Sequence, residues 1–209
     1  MDNKLIIGFS GVARSGKNTF ANLLAFRLER DFDLRVKQYA LADKLKLDCE
    51  QFLSEKCKMD VWTNDTNVKN CFRDLLVAYG KIQRERTEGR YWTNLIEEQM
   101  NKDKDIFDCF FITDIRYAKY PKDEVFWLKE LGGLLVHVKQ YNKTEESFER
   151  IYLSPPNEEE KINDPKLQEL ADYKVEWPNV SKDFTKLDKY IDNFLRYLDR
   201  KSTRLNSSH

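Results

Sequence analysis

The stretch Gly8–Thr19 reads GFSGVARSGKNT and directly follows the apolar run Leu5-Ile6-Ile7. Within it, Gly11, Gly16 and Lys17 fit the pattern G-x-x-x-x-G-K, in which successive backbone N–H groups surround an anion at a helix N-terminus. The glycines allow the main chain to approach a phosphate closely, and the lysine reaches toward the β- and γ-phosphates of a nucleotide. The stretch therefore predicts a strand, a phosphate-binding loop and a helix.

One position departs from this pattern. Asn18 stands where a serine or threonine hydroxyl usually helps to hold Mg²⁺, and Thr19 follows one residue later. Because Mg²⁺ gives up its waters reluctantly, we expect it to be held near Thr19 and largely through waters and nucleotide oxygens. A plain glycine-rich turn is the alternative, but the strand-to-helix context favours a phosphate loop.

Length and charge restrict the classes of protein that are compatible with the sequence. The 209 residues suit one domain, which we place at 1–200, with 140–172 as a mobile lid. Lysine plus arginine and aspartate plus glutamate both number 36. This balance gives no overall attraction to nucleic acid or to a membrane surface, so any anion site must be local.

Cysteine and histidine usage argues against a zinc site and a secreted protein. The four cysteines form no C-x-x-C pair and there are only two histidines, of which His137 alternates with apolar strand residues. We expect reduced thiols and a cytoplasmic protein. No signal peptide and no apolar run of about 20 residues is present, so no membrane span is expected.

Strand-like and helix-like segments alternate along the chain. This alternation predicts an α/β fold with a central, mainly parallel sheet and helices on both faces. The predicted strands are 5–7, 35–40, 106–113, 134–138 and 175–177. The first predicted helix follows the loop and ends near residue 30. The further predicted helices span 41–57, 70–79, 92–100, 124–131, 144–152 and 184–198.

Polar residues follow two of the predicted strands. Tyr39, Asp43 and Lys46 lie at or after the second strand, and Asp114 and Arg116 follow the strand 106–113. Ligands of open α/β sheets bind outside the carboxyl ends of the strands, so these side chains are candidates for substrate contact. An aspartate in this position orients magnesium or its waters in P-loop enzymes. An ordinary helix entry and a structural loop aspartate are the alternatives.

Four arginines lie close together in the sequence, at positions 73, 84, 86 and 90, and Tyr91-Trp92 follows the last. Guanidinium groups match phosphate oxygens geometrically, so Arg73 or Arg90 could clamp a phosphate beside a stacked base. Pairing with nearby glutamates on a solvated face is the alternative. Trp92 is also expected in the buried stripe of the following helix.

The segment 140–172 is polar and charged, which is typical of a lid or of a simple surface excursion. As a lid, it would bring Arg150 or Lys161 onto nucleotide phosphates. The final segment, 201–209, is polar and fits no predicted element, so we interpret it as a non-native or disordered tail.

These motifs together resemble the bacteriophage-type deoxynucleoside monophosphate kinases, a branch of the P-loop small-molecule kinases. The likeness covers most of residues 4–198. It is carried by 11–19, by 40–46, by Arg73 seven residues before Gly80, by 90–92 and by 114–116. The sequence departs from the family at Lys44, where a proline is common, and at Lys81, which replaces a threonine. Glu124 matches the family's glutamate only with an insertion of about four residues.

The resemblance implies a three-layer P-loop kinase fold and a function in deoxynucleotide metabolism of a phage-like type. The implied reaction transfers the γ-phosphoryl group of ATP, with Mg²⁺, to a (deoxy)nucleoside 5′-monophosphate. The implied catalytic residues are Lys17, Asp114, Arg116, Arg90 and Arg73, and the metal would be held near Thr19 and Asp114. ATP would be held by Gly11, Ala13, Arg14, Ser15, Gly16, Lys17, Asn18, Thr19 and Arg150. The acceptor would meet Tyr39, Asp43, Lys46, Arg73, Arg90 and Trp92.

Two other functions remain open at this point. A P-loop kinase for another phosphorylated metabolite, such as dephospho-coenzyme A or phosphomevalonate, would share the loop and differ in its acceptor region. A non-catalytic nucleotide-binding module is the second alternative, although a guanine-reading N/T-K-x-D motif is absent. The expected partner is a small nucleotide substrate, with no nucleic acid and no membrane, and the chain is expected to be a monomer or a homodimer.

Overall fold

The computed structural model describes residues 4–143, 149–180 and 183–206. Its strands are β1 (Leu5–Ser10), β2 (Val36–Tyr39), β3 (Cys109–Ile112), β4 (Leu134–Lys143), β5 (Arg150–Tyr152) and β6 (Tyr173–Pro178). Its helices are α1 (Lys17–Phe32), α2 (Leu41–Lys56), α3 (Thr66–Thr87), α4 (Arg90–Asp103), α5 (Glu124–Glu130), α6 (Glu158–Leu170) and α7 (Asp188–Asn206), with a short 3-10 helix at Phe184–Leu187.

The strands form one mainly parallel sheet. Its order is β2-β3-β1-β4, and β6 pairs with β4 in parallel. Of the strands in the described part of the chain, β5 alone is antiparallel, and it pairs with the end of β4. Strand β1 therefore lies between β3 and β4, with Gly8 beside Ile112 at the end of β3 and Ser10 beside His137 within β4.

Two hydrophobic clusters cover the two faces of the sheet. Neighbouring residues of β1 point to opposite faces, because side chains alternate along a strand. Ile7 packs in a cluster with residues of α1 and α7, whereas Ile6 packs in a cluster with residues of α4 and α5. The three-layer α/β architecture expected from the sequence is thus confirmed.

Most predicted elements are present, with different lengths at α3 and β4, which run beyond the predicted segments. The helix predicted at 144–152 is wrong in its last part, because Arg150–Tyr152 is a strand; residues 144–148 lie outside the described residues. Residues 201–206, which fit no predicted element, continue α7 to Asn206.

Helix α6 was not predicted. It lies in the segment expected to form a lid, contains Pro165, and buries only Leu167. Its polar sequence gives no apolar periodicity, which explains why the pattern of residues does not indicate it. Among the residues described, no helix combines the length and apolarity that a bilayer crossing requires.

Candidate active site

The glycines of the loop between β1 and α1 are required by its backbone. Gly11 has a φ of +131°, and a Cβ there would lie 2.2 Å from the carbonyl oxygen of Val138. Gly16 has a φ of +90°, and a Cβ there would lie 2.6 Å from the ring of Trp177. The indole N–H of Trp177 also donates to the Ser15 carbonyl at 3.0 Å. The loop is therefore held closely against β4 and β6.

The loop ends in an uncapped helix N-terminus. Gly16 is the N-cap residue of α1, and it provides no side-chain cap for the first turn. The N–H groups of a first helical turn have no intrahelical partner and carry the positive end of the helix dipole. This turn opens onto a cavity of about 480 Å³, hereafter the loop cavity. The arrangement favours a bound anion.

The Lys17 side chain is buried and turned back onto its own loop. Its ammonium donates to the carbonyl oxygens of Gly11 at 2.7 Å and Val12 at 2.8 Å. Burial, followed by the nearby positive charge of Arg116, lowers the pKa of Lys17 to about 8, although Glu160 and other carboxylates act in the opposite direction. Among the described residues, Lys17 thus has no negatively charged side chain in hydrogen-bond contact.

A carboxylate already occupies part of the loop's anion-binding surface. The backbone N–H of Ala13 donates to Glu160 Oε2 at 2.8 Å, and Arg116 donates to Glu160 Oε1 at 2.8 Å. Glu160 belongs to the first turn of α6. The loop therefore binds an anionic oxygen, which is the property that a phosphate site requires.

Asp114 connects the end of β3 to the start of α2. Its carboxylate accepts the backbone N–H groups of Leu41 at 2.7 Å and Ala42 at 2.9 Å. Burial is the largest cause of a raised pKa at Asp114, and these two hydrogen bonds oppose it. Asp114 thus fixes the N-terminus of α2 while it also lines the loop cavity.

A second cavity of about 340 Å³, hereafter the helical cavity, lies between α2, α3 and α4. Its apolar wall consists of Leu41, Leu45, Val61, Phe72, Leu76, Val77 and Trp92. Its cationic groups are Lys46, Lys69, Arg73, Lys81, Arg84 and Arg116. The helical cavity shares Ala42, Lys46, Asp114 and Arg116 with the loop cavity, so the two adjoin at the ends of β3 and α2.

The structure brings most of the sequence-predicted residues to these cavities. The loop cavity is lined by Ala13, Arg14, Gly16, Lys17, Asn18, Thr19, Asp43, Lys46, Asp114 and Arg116. Arg73 and Trp92 line the helical cavity, and Trp92 is also buried in the core as the apolar stripe predicted. Arg73 is exposed and makes no ion pair with any side chain that the structure describes.

Gly11 and Ser15 belong to the loop itself and line neither cavity, and three further predicted residues lie elsewhere. Tyr39 is buried and donates to Asp103 at 2.6 Å, and Arg90 forms an ion pair with Glu130 of α5. Arg150 contacts Glu176 at 3.3 Å and lies over the ring of Tyr141. None of the three lines either cavity. The charged partners explain this, because each side chain is engaged by an element that the sequence pattern does not place beside it.

Lys161 also differs from its predicted place on the lid. Its side chain is 67% exposed and pairs with Glu158 at 3.4 Å. The side chain that α6 presents to the loop is the carboxylate of Glu160, not a cation.

His137 is confirmed as a satisfied strand residue, because it is buried with Nε2 3.0 Å from Asp164 Oδ1. All four cysteines are free, as expected.

Glu124 is hydrogen-bonded to the backbone at the shared boundary of the two cavities. Its Oε2 accepts the backbone N–H groups of Arg116 at 2.6 Å and Tyr117 at 3.0 Å. Burial, followed by the charge of Asp123, raises the pKa of Glu124 to about 8. Glu124 therefore positions the turn that carries Arg116.

Sequence reasoning assigned no site role to Glu160 and named Arg84 only as one of four clustered arginines. Glu160 lies 147 positions from its loop partner Ala13, so no local pattern connects them. The spacing of Asn157 and Glu160 is nevertheless typical of a helix N-terminus and could have indicated α6. Arg84 lines the helical cavity and forms a buried ion pair with Asp123 at 3.0 Å.

The loop has the features that a nucleotide would need. Within the described ranges, the buried side-chain polar atoms without a hydrogen-bond partner are Ser15 Oγ and Arg84 Nε. Ser15 thus leaves an unpaired hydroxyl inside the loop.

The described ranges contain no group of three or more histidine, cysteine or acidic side chains arranged to hold a metal. A magnesium ion would depend on Thr19, Asp114 and the oxygens of its nucleotide.

Comparisons with known proteins give little beyond this geometry. No protein-family model matches the sequence, and no curated protein matches it either. Among solved structures, dephospho-CoA kinase from Campylobacter jejuni matches with a TM-score of 0.45 and 16% sequence identity. The match covers 97% of this chain and 100% of that one. Similarity at this level carries no argument about activity or substrate.

Proposed function

We propose that the protein transfers the γ-phosphoryl group of ATP to the phosphate of a (deoxy)nucleoside 5′-monophosphate. The observation that carries this proposal is the junction of the two cavities at Asp114 and Arg116. A nucleotide bound with its phosphates on the loop would direct its terminal phosphate to this junction. A monophosphate in the helical cavity would meet it there.

The donor side is built from the loop and the first turn of α1. The free N–H groups of this turn and the backbone N–H of Ala13 would bind phosphate oxygens. Lys17 would exchange its bonds to two loop carbonyls for bonds to the β- and γ-phosphates. An ammonium interacts more strongly with an anionic phosphate oxygen than with a neutral carbonyl, which favours this exchange.

The acceptor side combines an apolar wall with cations, as a base attached to a phosphate requires. A volume of about 340 Å³ is within the range of small-ligand sites. The apolar residues of α2, α3 and α4 would surround the base, with Trp92 in the wall. Arg73, Lys46 and Arg116 would bind the phosphate, because guanidinium and ammonium groups pair with its oxygens.

The chemistry that these residues would perform is positioning and charge neutralisation. An acceptor phosphate is already an anion, so its attack needs little help from a general base. Lys17 and Arg116 would stabilise the negative charge of the transferring group on either side of the junction. Mg²⁺, when bound near Thr19 and Asp114, would neutralise oxygens of the donor phosphates.

A second candidate acceptor is a larger phosphorylated metabolite, of which dephospho-coenzyme A is an example. A polar cavity of about 300 Å³ adjoins the helical cavity and shares Lys81, Arg84, Tyr117 and Glu159 with it. Lys119 and Lys166 add positive charge to this polar cavity. An acceptor longer than a nucleoside monophosphate, with a second charged group, would fill both.

The test measures ADP release from ATP and Mg²⁺ with each ribo- and deoxyribonucleoside monophosphate, and with dephospho-coenzyme A and phosphomevalonate. We expect one or several monophosphates to stimulate turnover. Lys17→Ala should reduce it by about 10²–10³-fold, since it removes a preorganised charge from the transition state. Lys56→Ala, at an exposed position at the end of α2, is the matched control and should leave turnover unchanged.

Two outcomes would contradict the proposal. Stimulation by dephospho-coenzyme A alone would replace the monophosphate with the larger acceptor. Near-normal turnover of a folded Lys17→Ala variant would show that the loop does not hold the donor.

A further inference from the structure

The first turn of α6 places a negative charge where the donor phosphates are proposed to bind. Glu160 is the residue that does so, with one carboxylate oxygen on the Ala13 N–H and the other on Arg116. Its side chain is 13% exposed, whereas that of its neighbour Glu158 is 79% exposed. The Glu160 carboxylate therefore lies within the site, whereas Glu158 faces solvent and Glu159 accepts a hydrogen bond from Tyr117.

Both partners of Glu160 are groups that a phosphate would use. The Ala13 N–H belongs to the anion-binding loop, and Arg116 lies at the junction of the loop and helical cavities. A phosphate oxygen and the Glu160 carboxylate cannot both accept from the same N–H at hydrogen-bond distance, and two negative charges this close repel each other. Binding of one therefore requires that the other leave.

Glu160 has a second position available within its own helix. Asn157 is the N-cap of α6, and its side chain accepts the Glu160 N–H at 2.8 Å. This is one half of a capping box, in which the glutamate side chain reaches back to the N-cap N–H to complete the other half. The carboxylate of Glu160 forms its bonds to Ala13 and Arg116 instead. After release, the Glu160 carboxylate could accept the backbone N–H of Asn157 and complete the box, so its charge would still have a hydrogen-bond partner.

The turn is held over the site by few contacts, and most of them are polar. Tyr117 donates to Glu159 at 2.8 Å, Asp164 contacts His137 at 3.0 Å, and Leu167 is the buried apolar residue of the helix. Segments with few buried apolar contacts open at low free-energy cost. The helix can therefore yield to a more highly charged anion.

We propose that Glu160 is a built-in competitor of the donor phosphates, so that nucleotide binding expels its carboxylate from the loop. This inference rests on the proposed function in assuming that the loop binds a nucleotide. The carboxylate keeps the loop and Arg116 paired while no nucleotide is present. The observed association constant for the donor is the intrinsic constant multiplied by the fraction of molecules in which Glu160 has left the loop.

The experiment measures the binding of ADP by calorimetry, without any acceptor, for the full chain. Glu160→Gln removes the charge and preserves the shape, and we expect it to bind ADP about tenfold more tightly than the wild type. Glu160→Asp keeps the charge but is one methylene shorter, so it should also bind ADP more tightly. Glu158→Gln changes the charge of the same turn at an exposed position and should alter the dissociation constant by less than about twofold.

Three results would overturn the inference. Glu160→Gln could bind ADP with wild-type or weaker affinity, Glu158→Gln could match its effect, or Glu160→Asp could bind as the wild type does. The second and third would show that only the long-range field of the acidic turn is involved. If neither the wild type nor Glu160→Gln binds ADP while both unfold at similar temperatures, the proposed function itself fails.

Discussion

The ammonium of Lys17 lies 2.7 Å from the carbonyl oxygen of Gly11, so the lysine is bound to neutral acceptors of its own loop. A neutral carbonyl stabilises the charged form less than a phosphate or carboxylate would. Burial is then the dominant influence and lowers the pKa of Lys17 from 10.5 to about 8. The charge of this lysine in the free protein thus depends on pH near the physiological range.

This pKa predicts an alkaline limit to donor use. As pH rises through about 8, Lys17 loses its proton and with it the charge that binds the donor phosphates. We expect kcat/KM for ATP, which reports groups of the enzyme before ATP binds, to fall above pH 8 and to approach a decrease of about tenfold per pH unit. A profile at saturating acceptor checks this, and a value that stays constant to pH 9.5 would contradict it.

A substitution at Gly80 is expected to narrow the helical cavity without destabilising the fold. It lies inside α3 and lines the helical cavity, its φ is not positive, and a Cβ there would meet only Leu45, at an ordinary 3.5 Å. Gly80→Ala should therefore leave stability equal or raise it by about 0.5–1 kcal/mol, because glycine disfavours helix interiors. The added methyl should raise the acceptor KM by about tenfold. Unchanged acceptor kinetics would indicate that the acceptor does not contact α3.

Arg73 and Arg90 provide a matched pair for the acceptor phosphate. Arg73 lines the helical cavity without an ion-pair partner among the described side chains, whereas Arg90 is engaged by Glu130. We expect Arg73→Ala to raise the acceptor KM by roughly tenfold, as loss of a charged hydrogen bond would. Arg90→Ala should change it little. The opposite ranking would mean that Arg90 leaves Glu130 when substrate binds.

We expect Glu124 to lower the free energy of unfolding as pH rises. Because its pKa is raised from 4.5 to about 8, the native state holds more protons than the unfolded chain between these values. The contribution of Glu124 to the free energy of unfolding therefore falls as pH rises from about 4.5 to 8. Glu124→Gln, which can still accept the N–H groups of Arg116 and Tyr117, should remove this cost of about 1.4 kcal/mol per unit of pKa shift.

Urea unfolding at pH 5 and pH 8 tests this prediction. The Glu124→Gln variant should gain stability over the wild type at pH 8 and much less at pH 5. Glu98→Gln, at an exposed position on α4, should show no such difference between the two pH values. An equal effect of Glu124→Gln at both would mean that the carboxylate is ionised throughout.

The sequence predicted those parts of the site that are carried by local patterns. The glycines and the lysine of the loop are set by the turn from β1 to α1, and Asp114 follows directly from the end of an apolar strand. Parallel pairing then brings these two ends together, which is why Lys17, Asp114 and Arg116 line one cavity. Each step depends on neighbours in sequence or on adjacent strands.

Contacts between distant helices could not be predicted in this way. Arg90 is engaged by Glu130 and Tyr39 by Asp103, and each partner lies on a helix whose rotation no local pattern determines. Glu160 contacts the loop from a helix whose polar sequence carries no apolar stripe. Charged residues give no periodic signal for burial, so these pairs become visible only with the packing.

The helical cavity also divides the chain by role. The apolar wall residues named above all lie within 41–92, between β2 and β3, whereas the loop lies between β1 and α1. Under the proposed function, substitutions in the connecting helices would change the acceptor that is bound and leave the donor loop unchanged. Related chains would then differ over evolutionary time in their acceptors and share one donor.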